Sequence, residues 1–239
     1  MSDQQKGFRP PWEITRAMFL SEEEIERLLA YVRRPPERPG KRPLALARRD
    51  RLIIESLLWS GLRNSELCRL RIDDTVVGCG ESVYQVQGTP RQDRMVFVPQ
   101  ALSILTQAYV HVHRSILAGS KLSGESGKQA LLVNDRGRPF DRTSLYRRVV
   151  RILEAVGLGD RASVQLLRHT YGYLAYKRSG RNLLFLQRQM GHAHPMVTSV
   201  YAQFVEESYA EIANRVARAP RVTPSESKRT VHDRKQEKR

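Results

Sequence analysis

Residues 191–201 read Gly191-His192-Ala193-His194-Pro195-Met196-Val197-Thr198-Ser199-Val200-Tyr201, so that a tyrosine stands nine residues after the first histidine. Taken alone, His192 could simply follow a helix C-cap at Gly191, and Tyr201 could be an ordinary half-buried helix residue. Two stretches upstream change that reading. Leu167-Arg168-His169-Thr170 is one, and Gly61-Leu62-Arg63-Asn64-Ser65-Glu66-Leu67, closing with Leu70 and Asp73, is the other. Each arginine singly reads as solvated or salt-bridged, the default in so basic a chain. The three stretches in this order and at these separations are what the ordinary readings leave unexplained.

Around them the pattern is mainly helical. Ser21 with Glu24 forms a capping box ahead of the apolar stripe Ile25, Leu28, Leu29, Val32. Residues 34–45 are a basic Pro/Gly stretch that predicts a loop. A helix is expected from about Arg48 to Trp59, and a short one from Arg63 to Leu70. Residues 72–98 alternate and turn at Gly88-Thr89-Pro90, which predicts a small antiparallel sheet of three short strands. Helices then follow at about 100–117, 142–156, 164–178, 182–190 and 196–217. Residues 1–18 read as an N-terminal arm, 19–217 as the folded domain and 218–239 as a disordered tail. That tail carries eight Lys/Arg against three acids and almost nothing apolar.

The chain has 41 Lys+Arg against 25 Asp+Glu, a formal net charge of +16. Such a balance calls for a polyanionic partner, and nucleic acid is the usual one because phosphate neutralisation releases counterions. Only eight of the cations are lysines, and arginine's planar fork suits bidentate phosphate binding. A membrane surface is the competing polyanion, but no long apolar run, signal peptide or lipidation motif appears, so no membrane partner is expected. Cys68 and Cys79 lack metal spacing and read as reduced thiols in a cytoplasmic protein.

The Arg63, Arg168, His192 and Tyr201 stretches together resemble the tyrosine recombinases of the phage integrase family. The resemblance spans about residues 19–215. It implies a mainly α fold with a small antiparallel β-sheet beside the active site, a nucleoid-associated location and duplex DNA as partner. It implies DNA breaking and rejoining in site-specific recombination, with no metal or nucleotide cofactor. Transesterification at a phosphodiester builds negative charge on equatorial oxygens, which preorganised cationic donors stabilise. By the resemblance, Arg63 and Arg168 clamp the non-bridging oxygens, His192 adds a hydrogen bond and Tyr201 is the nucleophile that forms a 3′-phosphotyrosyl link. Glu66, one turn beyond Arg63, is an orienter of it. Arg91, Arg94, Lys41 and Arg142 are the expected DNA contacts. A homo-oligomer assembled on DNA is implied, with residues 206–217 docking on a neighbouring protomer and another recombinase or accessory protein as a further partner.

Three departures stand against the family pattern. Gln165 replaces the first histidine of HxLRH and cannot carry a proton. The hairpin GKGxKxR reads Gly88-Thr89-Pro90-Arg91-Gln92-Asp93-Arg94, so Thr89 stands where the family has its general-acid lysine, and no lysine occurs between Lys41 and Lys121. Arg91 is an auxiliary stand-in, though a guanidinium is a poor proton donor, and slow cleavage is expected. Lastly, only residues 1–18 precede the domain, where phage integrases carry a helical DNA-clamping domain. The competing reading is a DNA-binding regulator or accessory factor on a recombinase scaffold, with little or no catalysis.

Overall fold

The computed structural model describes residues 14–78, 80–88, 93–119, 130–205 and 209–216. Residues 14–205 belong to one compact unit, and 209–216 to a second that begins at Glu206. In the first unit, α1 (Glu22–Arg33) starts on the expected capping box, with Ser21 Oγ accepting from Glu24 N and the Glu24 carboxylate accepting from Ser21 N. α2 (Lys41–Ser60) is the central helix. Leu52, Ile53, Ile54, Leu57 and Leu58 are all fully buried, because α1 covers one side of it and the C-terminal helices another.

α2 begins seven residues before the expected Arg48. The stretch 34–45 therefore yields a loop only as far as Gly40. Pro43 is tolerated because it stands in the first helical turn, where its missing N–H would have had no intrahelical acceptor. Gly61 ends α2 in the left-handed conformation (φ +63°), and a Cβ there would lie 2.8 Å from Tyr171 Cε1 and closer still to Cδ1. Only glycine fits, and the tight turn sends the chain directly into α3 (Asn64–Arg69) with Arg63 at its N-cap.

The sheet matches the expectation in size and sense. β1 (Thr75–Val76), β2 (Val83–Val86) and β3 (Arg94–Phe97) form an antiparallel sheet in that order, with Val83 opposite Phe97 and Val86 opposite Arg94. The helical run from 100 is continuous but changes pitch: α4 (Gln100–Ala108) passes through a π-turn at Tyr109–His113 into α5 (Arg114–Ala118). After residue 130 come α6 (Arg142–Ala155), capped by Asp141, then α7 (Val164–Arg178), capped by Ser163, and α8 (Leu183–Met190), capped by Asn182. α8 packs on β3, and the Gln189 amide seals the joint by donating to Phe97 O and accepting from Phe97 N.

The expected continuous helix over 196–217 is broken into pieces. α9 (Pro195–Ser199) ends just before Tyr201, a 3-10 turn covers Ala202–Phe204, and α10 (Tyr209–Val216) lies in the second unit. Val197, Thr198, Ser199 and Val200 are weak helix formers in succession, so local propensity does not carry the helix through. Of residues 14–18, read from sequence as part of the arm, Ile14 is buried while 15–18 are exposed; Arg16–Met18 form a 3-10 turn, and Ile14 and Phe19 join an apolar cluster with Tyr171, Tyr176, Leu186, Met190 and Tyr201. The basic tail 218–239 and residues 1–13 lie outside the described residues.

Candidate active site

The site forms where the C-terminus of α8 meets α3, α7 and β3. A helix end leaves backbone carbonyls without intrahelical donors and concentrates partial negative charge there. Three guanidinium groups answer three consecutive carbonyls. Arg94 Nε donates to Gln189 O at 3.0 Å, Arg168 Nη2 to Met190 O at 2.7 Å and Arg63 Nη2 to Gly191 O at 3.0 Å. Arg168 also donates through Nη1 to Gly61 O, so one side chain ties the end of α2 to the end of α8. The structure thus brings Arg63 and Arg168 together from positions 105 residues apart in the chain (168 − 63).

The two arginines differ in exposure. Arg168 is nearly fully buried, and burial together with the neighbouring Arg63 pulls its pKa down to about 10, which still leaves it charged at neutral pH. The Arg63 side chain is 41% exposed and faces outward. Glu66 sits behind it, with Oε1 accepting from Arg63 Nη1 at 2.8 Å and Oε2 from the Arg63 backbone N–H at 2.7 Å. Burial raises the Glu66 pKa, but hydrogen bonds from Arg94 and from Arg63 outweigh it and hold the carboxyl at about 2.

Gly191 is in the left-handed conformation at the end of α8 and hands the chain to His192. Burial, then Arg168, Arg63 and Arg94, push the His192 pKa down to about 3, so the imidazole is neutral at physiological pH. Its Nδ1 lies 2.9 Å from the Thr198 hydroxyl. When Nδ1 accepts that bond, the ring proton sits on Nε2, which makes His192 a neutral N–H donor.

Tyr201 is 1% exposed. Its ring lies against Gly172 on α7, where a Cβ would come within 2.7 Å of the phenol oxygen and closer to the ring carbons. The hydroxyl is 3.1 Å from His169 Nδ1. Burial pushes the phenol pKa up to about 12, against the pull of Arg168. Burial and Arg168 lower the pKa of His169. Sequence reasoning assigned His169 no role, although it stands inside the quoted Leu-Arg-His-Thr stretch; its signal was adjacency to Arg168 one residue before it on the same helix.

The remaining expected residues divide. Gln165 is exposed on the first turn of α7, one turn before Arg168. Lys41 and Arg142 are exposed at the first positions of α2 and α6, and the Arg142 carbonyl accepts from Asn64 Nδ2 at 2.8 Å, which sets the start of α6 beside Arg63. Arg94, expected to contact DNA, instead turns inward onto Glu66 with a side chain only 12% exposed, because a buried carboxylate offers it a better-matched partner than solvent. Arg91, with Thr89, lies outside the described residues.

Comparison with known proteins agrees with this architecture. The model of the phage integrase family matches residues 18–207, and the chain belongs to that family. Its sequence is 30% identical over 211 residues to tyrosine recombinase XerA of Thermococcus kodakarensis, covering 87% of this chain and 66% of the relative. It is 30% identical over 195 residues to tyrosine recombinase XerC of Halalkalibacterium halodurans, covering 81% of this chain and 60% of the relative. The chain spans between about half and two thirds of the length of the first curated relatives it matches. The fold is that of the XerA recombinase crystal structure (TM-score 0.62, 23% identity, 89% of this chain and 67% of that one). It is also that of the XerH site-specific recombinase bound to its palindromic difH substrate in a post-cleavage complex (TM-score 0.63, 23% identity, 83% of this chain and 52% of that one).

Proposed function

We propose that this chain binds duplex DNA and breaks and rejoins it through a phosphotyrosyl intermediate at Tyr201, in site-specific recombination. The observation that carries the reading is the convergence of Arg63, Arg168 and neutral His192 at the end of α8, next to the element that carries Tyr201. The phosphate's non-bridging oxygens are held by the outward face of Arg63 and by Arg168, and His192 donates from Nε2. As the Tyr201 hydroxyl gives up its proton to solvent and its oxygen bonds to phosphorus, the bond from phosphorus to the 5′ oxygen breaks, leaving a 3′-phosphotyrosyl link and a 5′ oxygen that takes a proton from water. Rejoining reverses these steps with a 5′ hydroxyl as nucleophile. Two guanidiniums fixed before the charge develops are the arrangement that lowers such a barrier most.

In this structure Tyr201 is not poised for attack. Its hydroxyl is buried on His169, so it must leave the Gly172 pocket to reach a phosphate held by Arg63. The broken helix around it, weak in helix formers, suits that displacement. Lys41, Arg142, Arg91 and the basic tail are assigned to phosphate contacts, with several protomers assembling on DNA at the nucleoid and α10 bridging between them. XerH is described in a complex with a DNA substrate after cleavage, which supports the reading without extending it to this chain's own target.

A duplex pool selected by binding, then nicked in turn at each position, tests the proposal. Wild-type protein should yield a covalent adduct that survives denaturation, and Tyr201→Phe should bind the same duplexes and yield none. Binding without adduct at any nick would favour the second reading, a DNA-binding regulator. The burial of Tyr201 and the absence of a hairpin lysine are the observations on that side.

A further inference from the structure

Glu66 faces two guanidiniums at once. Arg94 grips it as a fork, Nη1 to Oε1 at 2.8 Å and Nη2 to Oε2 at 2.9 Å, and its Nε is spent on Gln189 O. Three of the five N–H donors of Arg94 therefore have partners inside the protein, at all three of its nitrogens. Arg63 takes the same carboxylate edge-on through Nη1 alone, uses Nη2 on Gly191 O, and keeps an open side toward solvent. A carboxylate paired with Arg63 alone would cancel much of the positive charge at this half-buried spot, where opposite charges interact more strongly than in water. The bidentate fork is the stronger of the two pairings. Gly191 completes the arrangement: a Cβ there would lie 2.9 Å from the Arg94 guanidinium, so glycine lets Arg94 lie flat under the turn that carries His192.

We propose that Arg94 is a positioning residue for the reaction: it satisfies Glu66, so that Arg63 keeps a net positive charge for a phosphate oxygen, and it pins the α8 end from which His192 projects. This rests on the reading of Arg63 as a phosphate ligand. It differs from a phosphate contact by Arg94 itself, since the guanidinium that answers the carboxylate is the one turned away from solvent. One carboxylate and three guanidiniums leave the site with two unbalanced positive charges before DNA arrives, matched to a phosphoryl centre that gains negative charge as it reacts.

The test uses the full chain on the nicked duplexes described above, with Tyr201→Phe as the blank. Arg94→Met should slow adduct formation by roughly 10- to 100-fold, the cost of misplacing a catalytic group. Adding Glu66→Gln to Arg94→Met should restore part of that rate, because the unanswered carboxylate is then gone. A merely structural role predicts the opposite, a double variant no faster than Arg94→Met. Arg94→Lys keeps the charge but not the fork, and should be intermediate. If Arg94→Met fails to fold, Arg94→Lys against Arg94→Lys/Glu66→Gln makes the same comparison. Wild-type adduct rates in Arg94→Met, or a double variant without rescue, would each overturn the proposal. Absence of adduct from the wild-type protein would remove the functional reading and this inference with it.

Discussion

Gly172→Ala should destabilise this protein, although it replaces a mid-helix glycine with the best helix former. On helix propensity alone the change is worth about 1 kcal/mol in favour of alanine. The structure reverses the sign. Gly172 is the floor under the Tyr201 ring, and a methyl group placed there overlaps the phenol and its hydroxyl oxygen. Tyr201 is 1% exposed and packs with Phe19 at a ring-centroid distance of 6.3 Å. Expelling it forfeits burial of about 2 kcal/mol or more, leaving a net loss of roughly 1 kcal/mol and a fall in Tm of about 2–4 °C for a domain of this size. A second readout follows from the cause. With the ring out of its pocket, the phenol pKa should drop from about 12 toward its ordinary value of 10.0. Fluorotyrosine labelling with ¹⁹F NMR titration reads this directly, the resonance being assigned by its loss in Tyr201→Phe. A rise in Tm with an unchanged Tyr201 titration would refute the reasoning, since it would mean that the ring does not rest on Gly172.

Three further outcomes are expected. The Glu66 carboxyl is held near 2 against an ordinary value of 4.5; a depressed folded-state pKa stabilises above the unfolded value, so this contribution should be whole above about pH 4.5 and lost as pH falls toward 2. Denaturant melts over that window should show a steeper acid decline in wild type than in Glu66→Gln, and parallel curves would count against the pairing. Duplex affinity should fall by orders of magnitude between low and moderately high salt, as several arginine–phosphate contacts require; a nearly flat titration by anisotropy would argue against a phosphate-dominated interface. A duplex with a 5′-bridging phosphorothiolate, whose sulfur leaves without a proton, should be cleaved faster than ordinary DNA, and Thr89→Lys should narrow the gap by supplying a transferable proton. Equal rates on the two substrates with chemistry rate-limiting would reveal an effective acid elsewhere.

The order of Arg63, Arg168, His192 and Tyr201 was legible because each lies in a short local pattern whose neighbours also shape the backbone. Gly61 and Gly191 take the left-handed turns that end α2 and α8, and Arg63 follows as the cap of α3. Short apolar runs on either side of Gly88-Thr89-Pro90 likewise marked the paired strands β2 and β3, although β2 buries Val83 and Tyr84 in succession and does not alternate strictly. The helix break at Val200–Val205 was available in principle from the run of β-branched residues, but the surrounding apolar positions masked it. Pro43 misled in the other direction, because a proline's effect on a helix depends on whether it falls in the first turn, and that depends on where the helix starts.

What only the tertiary structure decided is which charges find one another and which way Tyr201 faces. Arg94 reads as a free basic residue beside a hairpin tip. Its partners, Glu66 and Gln189, are 28 and 95 residues away and meet it only when β3 packs on α8. The Tyr201 hydroxyl is buried because α7 offers a glycine at one position and His169 at another, a pocket no local pattern describes. The residue types that chemistry needs are written in the chain over short spans. Whether a guanidinium meets a phosphate or a carboxylate, and whether a phenol is offered or withheld, depends on desolvation and contact between distant segments, which exist only once the chain has folded.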